Sequence, residues 1–468
     1  MYFCRMKHQD CIAAIATASG IGAVGLIRVS GAESLLKVNA LLKKPLDEVE
    51  SHRAVLRRIF DSEGLIDESL ITVFRDGKSY TGENSVEIAY HGSDYIAQRL
   101  LKALLSVGIR MADPGEFTQR AFLNGKIDLA QAEAVADVIA AEHKFAHEQA
   151  LKQLRGGFSK DIAELRDKLL WFVSLIELEL DFGEEDVEFA SRAELQNLVL
   201  DLKQRVDHLR DSFALGNALK KGFTLVLAGR PNAGKSTLFN ALLNEDRAIV
   251  SDIKGTTRDA IEEVLNLGDV RIRLVDTAGI REASDSIERE GINRTFKHIE
   301  AGGATLYLFD PSELTLVEFE SDLKMLREKT TRIWVVANKM DVFSGDIQSF
   351  STSELMKEHE GQEGELLCVV AKDRTSVQQL TAELSQRFTA ELRSLDGLTV
   401  VTNARHADAL DQCSQELEKL LEGIEYQMTG DLLSFHLRSG IRALASITGE
   451  IDTEEILGNI FSRFCIGK

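Results

Sequence analysis

The spacing of apolar and polar positions divides the chain into three kinds of sequence. Over residues 1–125, short apolar runs, "GAVGLIRVS", "LITVFRD" and "SVEIAYHG", are split by glycine-rich turns and predict strands. One longer stretch, "YIAQRLLKALLSVG", has helical periodicity, so this segment reads as an α+β domain. From about 126 to 216 the pattern is helical: in "DLAQAEAVADVIAAEHKFAHEQALKQLRGGFSKDIAELRDKLLWFVSLIELEL", residues 128–180, apolar residues recur three and four apart over several turns, broken mainly at Gly156 and Gly157, which predicts two long helices joined there. Between 217 and 390 strand, loop and helix patterns alternate. From 391 to 468 amphipathic helical sequence returns in "ARHADALDQCSQELEKLLEGIEYQMTGDLLSFHLRSGIRALASI". The simplest arrangement lets 126–216 and 391–468 form one helical bundle with an α/β domain inserted between them, its ends near 217 and 390 close together.

The inserted segment carries the strongest chemistry. "FTLVLAGRPNAGKSTLFNALL" runs from a strand pattern through Gly229, four residues, Gly234, Lys235 and Ser236 into an amphipathic helix. That is a phosphate-binding P-loop in its required context: backbone N–H groups wrap the phosphates, Lys235 reaches the β and γ phosphates, and Ser236 ligates Mg2+. Asn232, Ala233 and Thr237 complete the loop. A second strand, "VRIRLVD", ends in Asp276, Thr277, Ala278 and Gly279, where the carboxylate would hold Mg2+ through water. A third, "RIWVVANKMD", ends in Asn338, Lys339, Met340 and Asp341, and a carboxylate there accepts from guanine N1 and N2, which favours GTP over ATP. Between them "DIKGTTRD", with Ser251 before it and Asp252, Ile253, Lys254, Gly255, Thr256 and Thr257 within it, is placed to be a switch loop whose Thr257 hydroxyl meets Mg2+. Ala371 and Lys372 in "CVVAK" would pack on the guanine. Ile280 follows Gly279 where many small GTPases carry a water-positioning glutamine, so hydrolysis needs other help. Arg281, Glu282, Asp285 and Glu288 stand nearby.

Composition narrows the picture. At 468 residues the chain exceeds one core at about 150 residues per domain. Hydrophobic residues make up 44%, and no apolar run reaches the roughly 18 residues of a membrane span. The N-terminus is a poor signal peptide, so a cytoplasmic location is expected. With 55 basic and 75 acidic residues, the net charge of -20 disfavours indiscriminate nucleic-acid binding. Any RNA partner needs a local basic patch. Five cysteines without paired spacing fit a reducing compartment and argue against a zinc site. "SGIGAVG" is rejected as a dinucleotide fingerprint because "LIRVS" after it reads as strand.

Together, "GAVGLIRVSG", "YTGENSVEI", "DPGEFTQRAFLNGKIDLAQAEAVADVI", "AGRPNAGKSTLFNAL", "DIKGTTRD", "DTAGIREASDSIEREGI", "NKMD" and the final "SRFCIGK" resemble the MnmE (TrmE) family of bacterial tRNA modification GTPases over nearly the whole chain. The resemblance implies a multidomain fold: an α+β folate-binding domain that makes a homodimer, a helical bundle, and an inserted Ras-like P-loop GTPase domain. It implies a K+-activated GTPase. With the flavoprotein MnmG, in a heterotetramer, it installs a carboxymethylaminomethyl-type group on C5 of the wobble uridine (position 34) of certain tRNAs. The one-carbon unit comes from a tetrahydrofolate derivative in its 5-formyl or methylene form. Arg28, Glu87, Lys126 and Lys468 stand at the family's folate positions; without the family, Arg28 would read as capping a sheet edge and Glu87 as solvated. Glu288 stands at the catalytic glutamate that orients water. Asn232, Ser251, Ile253 and Thr256 stand where K+ is held, and that charge does the work of an arginine finger. Two departures stand out. Thr17, Ala18, Ser19, Gly20 and Ile21 replace a Thr-Pro-Pro-Gly-Arg pattern, and Val370 precedes Ala371 where serine is usual.

Cys465, the fourth residue from the end in "FCIGK", has three readings. A terminal lysine suits neither prenyl class. A small hydrophobe in a tail is the bland reading, and the resemblance implies instead a part in the modification, as a nucleophile toward uracil C6 or an intermediate. The alternatives from other classes are an Era-like ribosome-assembly GTPase, for which no basic RNA-binding module is found, and a dynamin-like membrane GTPase, for which no inserting tip is found.

Overall fold

The computed structural model describes residues 10–18, 20–75, 77–181, 192–246, 262–267, 270–276, 303–328, 330, 332–353, 356, 366–393, 399–450, 454–462, 464 and 467. They fall into two compact units: Met1–Ala136 with Gln153–Arg166 and Leu444–Lys468, and Asp137–Lys152 with Asp167–Ala443.

The first unit is built on a six-stranded sheet of β1 (Ile12–Ile15), β2 (Val24–Ser30), β3 (Arg53–Asp61), β4 (Gly64–Phe74), β5 (Ser85–His91) and β6 (Arg110–Met111), in the order β3-β4-β5-β2-β1-β6. All neighbours are antiparallel except β1 and β6. One face buries Ile27, Val29, Ile71, Val73, Val86 and Ile88 in a core shared with α1 (Ser34–Asn39) and α2 (Asp94–Ser106). The three strand runs named from the sequence fall in β2, β4 and β5. β3, "RAVLRRIFD", was not among them: as an edge strand it buries one residue, Ile59, so its arginines and apolar residues follow no period of two. α3 (Glu116–Leu123) carries Arg120, 1% exposed, whose charge is met by Asp10, Glu83 and Glu116. Near the other end of the chain, α15 (Glu454–Phe461) buries Leu457 and Phe461 against Phe122, Leu129 and Ala132.

The stretch expected to hold two helices holds three: α4 (Leu129–Ala140), α5 (Lys144–Leu154) and α6 (Gly157–Asp181). Besides the break at Gly156, with φ of 82°, the chain breaks before Lys144, where His143 Nδ1 accepts from the Ala146 amide and starts a new helix. Periodicity continues through this second break, so it left no mark in the pattern.

The second unit holds a six-stranded sheet of β7 (Phe223–Ala228), β8 (Glu262–Leu267), β9 (Val270–Asp276), β10 (Ala304–Phe309), β11 (Ile333–Ala337) and β12 (Leu367–Cys368), ordered β12-β11-β10-β7-β9-β8. It is parallel except for the β8–β9 hairpin. Every residue of β7, β10 and β11 is buried, as expected of parallel strands covered on both faces. The covering helices are α8 (Phe213–Lys221), α9 (Lys235–Asp246), α10 (Leu316–Arg327), the short α11 (Gln348–Ser351) and α12 (Arg374–Arg393). α7 (Arg192–Asp211) runs antiparallel to α13 (Ala404–Glu425): Asp207 accepts from Ser414 at 2.5 Å, while Arg210 lies 3.6 Å from Asp411. α14 (Gly430–Thr448) meets α6 through Arg438 and Glu177. Gly216 lies so close to the Val401 carbonyl that a Cβ would sit 2.1 Å from it, and Val401 N donates to Ser212. The chain thus leaves the helices for β7 and returns to them at adjacent points.

Candidate functional site: the strand-end loops of the parallel sheet and an arginine–glutamate pair on the first sheet

In the second unit the loops of interest leave the carboxyl ends of β7, β9, β10 and β11, the side of a parallel sheet where ligands gather. β7 delivers Gly229 with φ of 147°, and a Cβ there would lie 2.0 Å from the Leu308 carbonyl. Gly234 has φ of 96°, and its Cβ would lie 2.2 Å from Asn338 Nδ2. Only glycine fits either place. Asn232 takes the left-handed region at φ 64°. Lys235 opens α9 and is buried; its Nζ donates to the carbonyls of Gly229 at 2.7 Å and Arg230 at 2.8 Å. Ser236 and Thr237 are exposed in the first turn, where free amide groups and the helix dipole favour an anion.

Asn338 joins three loops. Only 2% exposed, it donates to the Ala233 carbonyl at 2.8 Å, accepts from the Ala371 amide at 3.0 Å, and its own amide donates to Phe309 O at 2.8 Å. The first two bonds tie the P-loop and the "VAK" loop to the end of β11. Lys339, at φ 60°, extends its ammonium to Asp310 Oδ2 at 2.8 Å. Burial pushes the Asp310 carboxyl up, but the Lys339 hydrogen bond, the Ser312 amide and the Lys339 charge outweigh it and hold it below its usual value. Asp341 and Lys372 are exposed.

Sequence reasoning passed over Asp310 and over the partners of Arg230. The signal for Asp310 was available: "ATLYLF" is an apolar run that leads, as "VRIRLV" does, directly into an aspartate. β9 reaches Asp276, paired with Leu227 of β7. Ser251, Asp252, Ile253, Lys254, Gly255, Thr256, Thr257, Thr277, Ala278, Gly279 and Glu288 lie outside the described residues, as does the Asp276 side chain.

In the first unit Arg28 and Glu87 face each other across β2 and β5. Arg28 Nε and Nη2 both lie 2.9 Å from Glu87 Oε1. The guanidinium sits 5.4 Å from the Tyr80 ring centroid and 5.8 Å from that of Phe117, and Tyr80 is tied to Thr118 at 2.9 Å. β2 is an interior strand, so Arg28 does not cap a sheet edge, and Glu87 is paired, not solvated. Among the described residues, the other Glu87 oxygen and Arg28 Nη1 take no partner, which leaves one acceptor and one donor edge for a ligand. Lys126 Nζ donates to the Gly77 carbonyl at 3.1 Å. Gly467, at φ 98°, lies against Ile15: its Cβ would meet the Ile15 carbonyl at 2.4 Å. That brings the end of the chain to β1, next to the strand bearing Arg28. Cys465 and Lys468 lie outside the described residues.

Among the described residues no helix is long and apolar enough to cross a membrane.

Comparison with known families agrees over the chain's whole length. The family described as "MnmE helical domain" matches residues 129–465, and "GTP-binding protein TrmE N-terminus" matches residues 11–126. The tRNA modification GTPase MnmE of Flavobacterium johnsoniae is 46% identical over 472 residues, spanning 99% of this chain and 100% of the relative. That of Bacteroides fragilis is 46% identical, over 98% and 100%, and that of Cytophaga hutchinsonii is 43% identical, over 99% and 98%.

Proposed function

Because the chain belongs to the MnmE family of tRNA modification GTPases, we propose that it hydrolyses GTP in the modification of tRNA, and specifically of C5 of the wobble uridine, together with MnmG. The observation that carries the nucleotide part is the Asn338 junction, which fixes the P-loop and the "VAK" loop beside Asp341. Relatives so named span the chain from end to end, N-terminal segment included, and this disfavours an Era-like assembly factor.

In this reading segment 217–390 is the GTPase domain. Lys235 exchanges its two carbonyl partners for phosphate oxygens, Asp341 reads the guanine, and Ser236 with Thr257 would hold Mg2+ while Asp276 acts through water. Asn232, Ser251, Ile253 and Thr256 would hold K+, which supplies positive charge beside the phosphates. Glu288 orients the attacking water. Segment 1–125 takes the tetrahydrofolate derivative at Arg28 and Glu87, with Lys126 and Lys468 contributed from the adjoining segments, and the open Glu87 oxygen suits a pterin's amino and ring N–H groups. It also makes the homodimer, for which the exposed Val24, Leu56 and Leu70 on the Arg28 face offer an apolar row. Segments 126–216 and 391–468 form the helical part, and Cys465 takes part in the chemistry.

The test is mass spectrometry of wobble nucleosides in tRNA from a strain lacking this gene, complemented with wild type or Cys465→Ser. Restoration by wild type alone supports the full reading. Unchanged nucleosides on deletion would remove the tRNA function, and restoration by both would remove the role of Cys465.

A further inference from the structure

Arg230 follows the first glycine of the P-loop, yet its side chain leaves the loop. The guanidinium forks onto Asp322 of α10, Nε to Oδ2 at 2.8 Å and Nη2 to Oδ1 at 3.1 Å, and Nη1 reaches Glu318 Oε1 at 2.7 Å. Both carboxylates are themselves fixed. Asp322 Oδ2 also accepts the hydroxyl of Tyr307, from β10, at 2.7 Å. Glu318 closes a capping box with Thr315 at the start of α10. Its carboxyl is held down to about 2, first by the Thr315 hydroxyl and then by Arg230. The Tyr307 hydroxyl is pushed up, by burial first and by Asp322 next.

The backbone of the same residue bears on the nucleotide. The Arg230 carbonyl is one of the two that hold Lys235 Nζ. Gly229 is wedged against Leu308, and the far side of the loop is tied at Ala233 by Asn338. Across the span from Arg230 to Asn232 the Ala233 amide donates to the Arg230 carbonyl at 3.4 Å and Pro231 contributes no N–H, so the tie from this span to α10 is made by the Arg230 side chain.

We propose that Arg230 is a positioning residue whose link to Asp322 and Glu318 holds the opening of the P-loop in its phosphate-binding arc, so that α10 sets the affinity for guanine nucleotide. This rests on the guanine-nucleotide reading above. A planar fork suits the task better than an ammonium, because two parallel bonds fix direction as well as distance. With its charge met by two carboxylates, Arg230 offers none directly to the phosphates, so the effect falls on binding and not on the hydrolytic step.

The test titrates full-length wild type, Arg230→Ala, Arg230→Lys, Asp322→Asn and Tyr307→Phe with mant-GDP in Mg2+ and K+ buffer, and measures GTP hydrolysis and unfolding midpoints on the same preparations. In Arg230→Ala and Asp322→Asn, mant-GDP binds about tenfold more weakly through faster release, KM for GTP rises by a similar factor, and kcat stays within about twofold. Arg230→Lys recovers part of the loss, and Tyr307→Phe binds as wild type because the fork remains. A purely structural role would lower the unfolding midpoint and leave KM unmoved, which overturns the inference. So does wild-type affinity in Arg230→Ala, or in Asp322→Asn should the alanine variant fail to fold. If wild type itself does not bind mant-GDP, the guanine-nucleotide function falls and this inference with it; wild-type binding with unaffected variants removes the inference alone.

Discussion

The loops at the ends of β7 and β11 and the Arg28–Glu87 pair are both candidate ligand sites, built on opposite principles. The first is made largely of backbone. Glycines, carbonyls and amides do the holding, Asn338 is buried, and a single added methyl has nowhere to go. The second is made of side chains on two neighbouring strands, each about a fifth exposed, at 21% and 22%. A backbone site is rigid and intolerant; a side-chain pair on an already complete sheet can be emptied without touching the fold.

That contrast predicts a graded series. The largest effect belongs to Gly229→Ala, where the new Cβ would lie 2.0 Å from the Leu308 carbonyl at a φ that only glycine favours. Loss of GTP hydrolysis by more than about a hundredfold and a destabilisation of about 2–4 kcal/mol are expected; steady-state hydrolysis and urea unfolding read them out, and a stable, active variant would break the comparison. Arg28→Ala comes next. Stability should change by less than about 1 kcal/mol, since a partly exposed ion pair contributes little. GTP hydrolysis should stay at the wild-type rate while 5-formyltetrahydrofolate binding, followed by calorimetry, is lost. Undiminished folate binding would remove Arg28 from that site.

The smallest effect sharpens the first site. Asp310 is depressed in the folded protein, so its pairing contributes stability that is present above the unfolded value of 3.8 and lost as pH falls through the folded value. Asp310→Asn should therefore cost about 1 kcal/mol at neutral pH. The gap from wild type should begin to close as pH falls below 3.8 and vanish only below the lower folded value, where Asp310 is protonated in both states. A gap that persists into acid would mean that the asparagine disturbs Lys339 by shape and not by charge.

The two sites also differ in how far they could be read without coordinates. Glycines, a lysine and a serine at fixed spacing announce a phosphate loop because a short loop between strand and helix brings sequence neighbours together in space. The same holds for "NKMD", which follows directly on its strand. Arg28 and Glu87 stand 59 residues apart and meet only because β2 pairs with β5 in one register; the resemblance to a family singled them out, and no local pattern did. Asp322, 92 residues from Arg230, was equally hidden, since nothing in "ESDLKM" distinguishes a carboxylate that grips a loop from one that faces water. The extra break before Lys144 escaped for a related reason: a histidine side chain caps that helix, and no glycine or proline marks the place.

What the sequence determined by itself is therefore the class of each segment, the order of the strand-end loops and the nucleotide chemistry, because hydrophobic period and short-range spacing are properties of consecutive residues. What only the tertiary structure decided is which distant side chains share a charge: Arg28 with Glu87, Lys339 with Asp310, Arg230 with Asp322, Arg120 with Asp10, Glu83 and Glu116. Pairing at a few ångströms depends on strand register and helix placement, which the whole packed chain settles together and no stretch of it contains.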